Sequence, residues 1–208
     1  MSILSKLASS LNRKDEVPNQ ELAKVIVAKA DKKAVQELIE HLKGTKAVQN
    51  DCIKVLYEVG SQQPKLIAPY LTHFVELLNS KNNRLQWGAM TALASITSEQ
   101  PKAVYAVLPK ILEAADKGST ITRDQAVNIL IQLGGINTYA KQSFSLLMEQ
   151  LLKCPTNQLP MYAERAVPII SAPNKVTFVN VLQSRLAEVE KESKQKRIEK
   201  VIQKLMKA

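Results

Sequence analysis

The chain has 208 residues, 45% of them hydrophobic, with 29 Lys and Arg against 19 Asp and Glu for a formal charge of +10. That length buries a core without staples, and the two cysteines, Cys52 and Cys154, form no CxxC or Cys/His cluster, which argues against a zinc site or a disulfide framework. No stretch approaches membrane-spanning length, so the sequence reads as soluble and cytoplasmic, with no membrane partner, no metal and no cofactor.

The charge is uneven. Residues 1–33 carry +3, residues 34–184 carry +3 and residues 185–208 carry +4. A body so nearly balanced lacks the basic stripe that polyanion binding requires, because affinity there comes from releasing many counterions at once. The basic ends leave nucleic acid open as a partner.

In chain order, the apolar positions Ile3, Leu4, Leu7 and Leu11 predict a short helix over 2–11, followed by a polar linker over 13–19 and a capping helix over 20–30 that carries Leu22, Val25 and Ile26. Two kinds of amphipathic run then alternate. The leading runs contain Val35, Leu38, Ile39 and Leu42; then Ile67, Leu71, Phe74, Val75 and Leu78; then Val104, Val107, Leu108, Ile111 and Leu112; then Phe144, Leu147 and Leu151. Breakers separate the runs, among them Gly44, the 60–64 and 97–101 segments, Gly134-Gly135 and the 155–160 segment. At the C-terminus two cap helices, or one long bent one, follow from Val179, Leu182, Leu186 and Val189 and then from Ile198, Val201, Ile202 and Leu205.

The trailing runs repeat without gaps every 37 residues: the segments 48–56, 85–93 and 122–130 align, and one more step reaches Ala163 with Val167 and Ile170 at the matching apolar places. In each copy a small residue (Cys52, Ala89, Ala126), a leucine four later (Leu56, Leu93, Leu130) and an apolar residue three beyond (Val59, Ile96, Leu133) make one stripe. A fixed period with one helical hairpin per copy is the signature of a stacked array, in which each repeat buries its stripe against its neighbours and the ends need caps.

These residues resemble the HEAT-repeat family, an armadillo-type α-solenoid: a first helix with a proline near its start or middle (Pro69, Pro109), a turn, and a second helix reading roughly [VLT]-[QR]-x-x-[AC]-x-x-x-L, with the family's arginine kept as Arg123. The resemblance covers residues 31–171; glutamine stands in for the arginine at 49 and 86, and the family's turn aspartate is missing. It implies an all-α fold, a right-handed α-α superhelix of hairpins with period 37, with N- and C-terminal capping helices. The organisation expected is residues 1–30 as N-terminal helix, linker and cap, 31–171 as the repeat array and 172–208 as C-terminal caps. It also implies that the second helices line a concave face.

Catalytic chemistry is sparse. His41 and His73 read as surface or half-buried imidazoles, Cys52 as a small core residue, Cys154 as a partly exposed thiol, and there is no phosphate loop, HExxH or GxSxG. No catalytic residue is assigned. Rotating 100° per residue from Ala89 puts Leu93 at about +40° and Ile96 at about −20°, on the core side, but Trp87 at about 160°, Thr91 at about 200° and Arg84 at about 220°. The 37-residue step carries these slots to Lys54 with Tyr57 nearby, to Asp124 and Asn128, and to Arg165. Lys54, Tyr57, Arg84, Trp87, Thr91, Asp124, Asn128 and Arg165 are thus expected as a ladder facing a partner. Trp, Tyr and Arg together are the composition of a binding hot spot. The expectation is a non-catalytic module that binds a protein or peptide partner. The alternative is a DNA-binding protein, or an enzyme similar to the bacterial DNA glycosylases built of HEAT-like repeats. The position one turn after Trp87, where that family carries its catalytic aspartate, is Thr91 here, and Asp124 is the one substitute in the ladder.

Overall fold

The computed structural model describes residues 2–207. Among them the secondary structure is helical, with no strand. Residues 1–126 and 127–208 form two compact units.

The first unit opens with a 3-10 turn at Ile3–Lys6, not a helix through residue 11. The chain then turns through Asn12, which takes a left-handed φ of 53°, and this irregular segment is held down by tertiary bonds. Leu7 and Ala8 are buried, the Ala8 amide donates to Asn19 Oδ1 (3.0 Å), and the Ser9 amide donates to Asp51 Oδ2 (2.7 Å). Helix α1 (Val17–Lys29) starts three residues before the expected cap helix because Pro18 sits in its first turn, where a missing N–H costs nothing. Next come α2 (Lys32–Glu40), with Asp31 capping its N-terminus, and α3 (Lys46–Gln62).

Each leading run of the next two repeats is broken in two, where the pattern predicts a single first helix. In one repeat 3-10 turns at Pro64–Leu66 and Ala68–Tyr70 precede α4 (Leu71–Leu77). After α5 (Asn83–Ile96), the other repeat carries α6 (Pro101–Ala106) and α7 (Leu108–Lys117). Pro69 and Pro109 explain the breaks. Each lacks an N–H and crowds the preceding turn, and the chain bends just upstream, at Ile67 (φ −104°, ψ −12°) and Val107 (φ −102°, ψ 7°). These repeats therefore have a short leading piece, a second helix and a long third one.

The long helices keep the period: α3, α5 and α8 (Thr120–Gly134) start at Lys46, Asn83 and Thr120, in steps of 37. Their stripe is the core. Cys52, Ala89, Ala126 and Ala163, the three leucines four residues on from the first three, and Val59, Ile96 and Leu133 are all fully buried. In the first unit α1 and α2 pack on α3, α3 on α5 and α4 on α5. Helices α3 and α5 approach closely at Gly88, where an added Cβ would meet Ile53 Cγ1 at 2.6 Å.

The second unit holds α9 (Asn137–Lys153), α10 (Leu159–Ala166), α11 (Ala172–Leu186) and α12 (Glu192–Lys207). Pro168 ends α10 in a 3-10 turn, Val167–Ile169, so Val167 and Ile170 are only half-buried where the period calls for core residues. Two separate terminal helices form. Ile198, Val201 and Leu205 of α12 are buried, Ile202 is half-buried, and Lys196, Arg197, Lys200, Lys204 and Lys207 face solvent. Arg185 is buried as well: its Nη1 donates to the carbonyls of Leu151 (2.8 Å) and Cys154 (3.0 Å) at the end of α9, while its Nη2 pairs with Glu188 (2.7 Å). A guanidinium there satisfies helix-end carbonyls and the negative end of the helix dipole together.

Candidate partner-binding site

In the first unit α3 and α5 run side by side, so slots 37 residues apart become neighbours. Four of the expected ladder residues form one cluster. The Lys54 ammonium lies 4.8 Å from the Tyr57 ring centroid, the Tyr57 ring lies 5.5 Å from that of Trp87 with a 48° tilt, and the Arg84 guanidinium lies 5.5 Å from the Trp87 ring. Tilted aromatic pairs and cations over ring faces are both attractive arrangements. Trp87, Tyr57 and Arg84 are half-buried, so the indole is held in place and still presents surface.

Local hydrogen bonds set the geometry. Asn82 caps α5, its Oδ1 accepting from the Arg84 amide (3.1 Å), and its amide nitrogen reaches Asn50 Oδ1 (2.9 Å) and Gln49 Oε1 (3.2 Å) on α3. The Thr91 hydroxyl donates to the Trp87 carbonyl (2.8 Å), so in this structure it is bonded within its own helix.

Lys54 needs correction. It does point away from its own stripe, but it is 5% exposed instead of facing solvent. The segment entering α1 crosses over it: Glu16 Oε2 pairs with Lys54 (2.8 Å), Glu16 Oε1 pairs with Arg84, and Glu58 takes Lys54 from its own helix (2.6 Å). Burial pushes the Glu16 carboxyl up, but hydrogen bonds from Lys54 and Arg84 outweigh it and hold the carboxyl below its usual value. Burial would likewise lower Lys54, and the Glu16 and Glu58 carboxylates more than reverse that. Glu16 is the one central residue that the ladder reasoning misses, since it lies 68 residues from Arg84 in the chain and in no repeat.

The remaining ladder positions are on α8 and α10. Asp124, on the first unit's part of α8, and Asn128, on the second unit's part, are half-buried and each is engaged with another group. Arg165 is exposed on α10 in the second unit. Of the histidines, His41 Nδ1 bonds the Glu37 carbonyl (2.8 Å) and His73 is exposed, edge-on to Tyr70. Both thiols are buried, Cys154 included although it was expected to be partly exposed. Burial pushes the Cys52 thiol up to about 12 and the Cys154 thiol up to about 11. Among the described residues no group of three or more His, Cys, Asp or Glu could share a metal ion, and no helix is long and apolar enough to cross a membrane.

Comparison with solved structures adds the fold. An engineered protein superimposes over 100% of this chain and 98% of its own, with a TM-score of 0.65 at 21% identity. A second engineered protein does so over 100% of both chains, with a TM-score of 0.62 at 21% identity. A designed armadillo repeat protein matches 97% of this chain and 99% of its own, with a TM-score of 0.64 at 17% identity. The fold is that of an armadillo- or HEAT-like helical-repeat protein. No family model and no curated protein matches the chain.

Proposed function

We propose that this armadillo-like chain is a non-catalytic scaffold that binds a protein or peptide partner on the α3–α5 face, with Trp87 as the anchor and Tyr57, Arg84 and Thr91 beside it. The cluster itself carries the reading: one tryptophan, half-buried, set between a tyrosine and a guanidinium on two helices packed against each other. Such a residue brings contact area with little entropy left to lose. A structural indole would instead be closed over by a neighbouring element, as the leucines of the stripe are. Lys54, paired with two carboxylates, serves to hold Tyr57 and Glu16 and does not meet the partner directly. The buried, unpaired thiols suit a reducing, cytoplasmic setting.

The test is a comparative affinity capture from the source cells with the wild-type chain, Trp87→Ala and a control substitution at exposed Lys110 on α7. The expected result is one or more proteins retained by wild type and control and lost with Trp87→Ala, while circular dichroism shows the same helicity for all three. A retained set indifferent to Trp87 would overturn the proposal.

A further inference from the structure

Helix α12 carries the long-helix pattern beyond the repeats read from the sequence. Its buried residues Ile198, Val201 and Leu205 have the spacing of Ala89, Ala92 and Ile96 on α5, and it packs on α10, where Ala163 holds the same place. The Arg197 guanidinium donates to both carboxylate oxygens of Glu164 on α10 (2.7 and 2.6 Å), which ties the two helices side by side. Rotation of 100° per residue from Ile198 puts Lys196 at about 160°, Lys207 at about 180°, Lys200 at about 200° and Lys204 at about 240°, the sector that Trp87, Thr91 and Arg84 occupy on α5. From Ala163 the same sector of α10 holds Arg165, at about 200°. All five cations are exposed. Glu192 and Glu199, the carboxylates of α12, fall outside the sector at about 120° and 100°, on the side opposite Arg197. Lys196 is paired with Glu192 (2.6 Å), and among the described residues the other four cations have no carboxylate partner.

We propose that this cationic face of the second unit binds an acidic protein segment, a short run of Asp and Glu laid along α12 with Arg165 beside it. A row of cations without counter-charges is complemented by a row of carboxylates. From Lys196 to Lys207 the row is about 16 Å long, which about five residues of extended chain cover. It is one helix wide and bordered by Glu192 and Glu199, so the second phosphate row of a nucleic-acid duplex would meet carboxylates. Among the described residues α10 and α12 expose no aromatic side chain on which single-stranded bases could stack. The apolar side of α12 is packed into the core, leaving Met206 as its one exposed large apolar residue, too little to enter a bilayer. The inference rests on the scaffold reading and deepens it, giving the protein partner a second contact of stated chemistry.

The test is an NMR titration of the full chain at about 0.15 M salt with three probes: a blocked hexaglutamate peptide, its hexaglutamine counterpart and a short DNA duplex. Saturable shifts confined to α12 and the Arg165 Nε–H group are expected with hexaglutamate and not with hexaglutamine, and the duplex should bind these residues more weakly than hexaglutamate. The double substitution Lys200→Gln, Lys204→Gln should weaken hexaglutamate binding about fivefold at unchanged helicity. Lys102→Gln, Lys110→Gln, which removes the same charge from exposed positions of α6 and α7, should leave it unchanged. No saturable shift on α12, or equal weakening by the two double variants, would overturn the inference, and tighter binding of the duplex would overturn it in favour of nucleic acid. If partner capture still depends on Trp87 in any of these cases, the scaffold reading survives without it; if hexaglutamate binds α12 as expected while capture is indifferent to Trp87, it is the α3–α5 reading that fails.

Discussion

Glu16→Gln removes the one carboxylate that bridges the N-terminal segment to both long helices of the first unit, and its effect follows from the exposure of its partners. A solvent-exposed ion pair contributes about 0.2–1 kcal/mol, while breaking a buried one costs about 3–5 kcal/mol because a charge is stranded. Glu16 is 40% exposed and Arg84 33%, whereas the Lys54 side chain is 6% exposed but keeps Glu58. The expected loss lies between the two cases, about 1–2 kcal/mol at pH 7. Its pH dependence has a fixed sign. The folded carboxyl is held below the ordinary 4.5, so its contribution is complete above that value and disappears as pH falls through the folded pKa. Urea unfolding followed through Trp87, in the same cluster, measures both. The wild-type advantage should be full at pH 7 and shrink toward zero in acid, where a protonated Glu resembles Gln. No difference at pH 7, or one that persists unchanged in acid, would refute the reasoning.

Leu93→Ala should cost about 2–5 kcal/mol in thermal or urea unfolding, since Leu93 is fully buried in the repeated stripe; a cost near zero would contradict the register. Arg185→Gln should cost about 2–4 kcal/mol by removing the guanidinium bonds to the Leu151 and Cys154 carbonyls, the first of which keeps only the weak Cys154 thiol donor. Arg185→Lys should recover only part of that, because a lysine cannot reach both carbonyls and Glu188 in one fork. A thiol reagent such as Ellman's should leave Cys52 and Cys154 unmodified in the native protein at pH 8 and titrate both after unfolding, as their burial and raised pKa values require.

The repeat could be read because its signal is local: a small residue, a leucine and an apolar residue at helical spacing recur every 37 positions, and Ala89, Leu93 and Ile96 are buried as that spacing demands. The split of the leading helices depends on where Pro69 and Pro109 fall against the turns around them. A proline near a helix start reads equally well as its first turn or as the break between two pieces. The rotation about α5 also places Trp87, Arg84 and Tyr57 together, because it says which side of a helix a residue leaves. It cannot say what lies across from that side. Lys54 left the stripe as expected and met Glu16, a residue outside every repeat. In α12 the pattern held for Ile198, Val201 and Leu205, while Ile202, on the edge of that face, stayed half-exposed.

The central claim is that a partner lies on the α3–α5 face at Trp87, and proximity labelling on that face tests it most directly. A photo-crosslinking amino acid at Thr91, one turn from Trp87, and another at Lys110 on α7, should behave differently in the source cells. The account predicts a discrete crosslinked band from position 91 that disappears when Trp87→Ala is added, and none from position 110. Equal crosslinking from both positions, or a band at 91 that survives loss of the tryptophan, would contradict it.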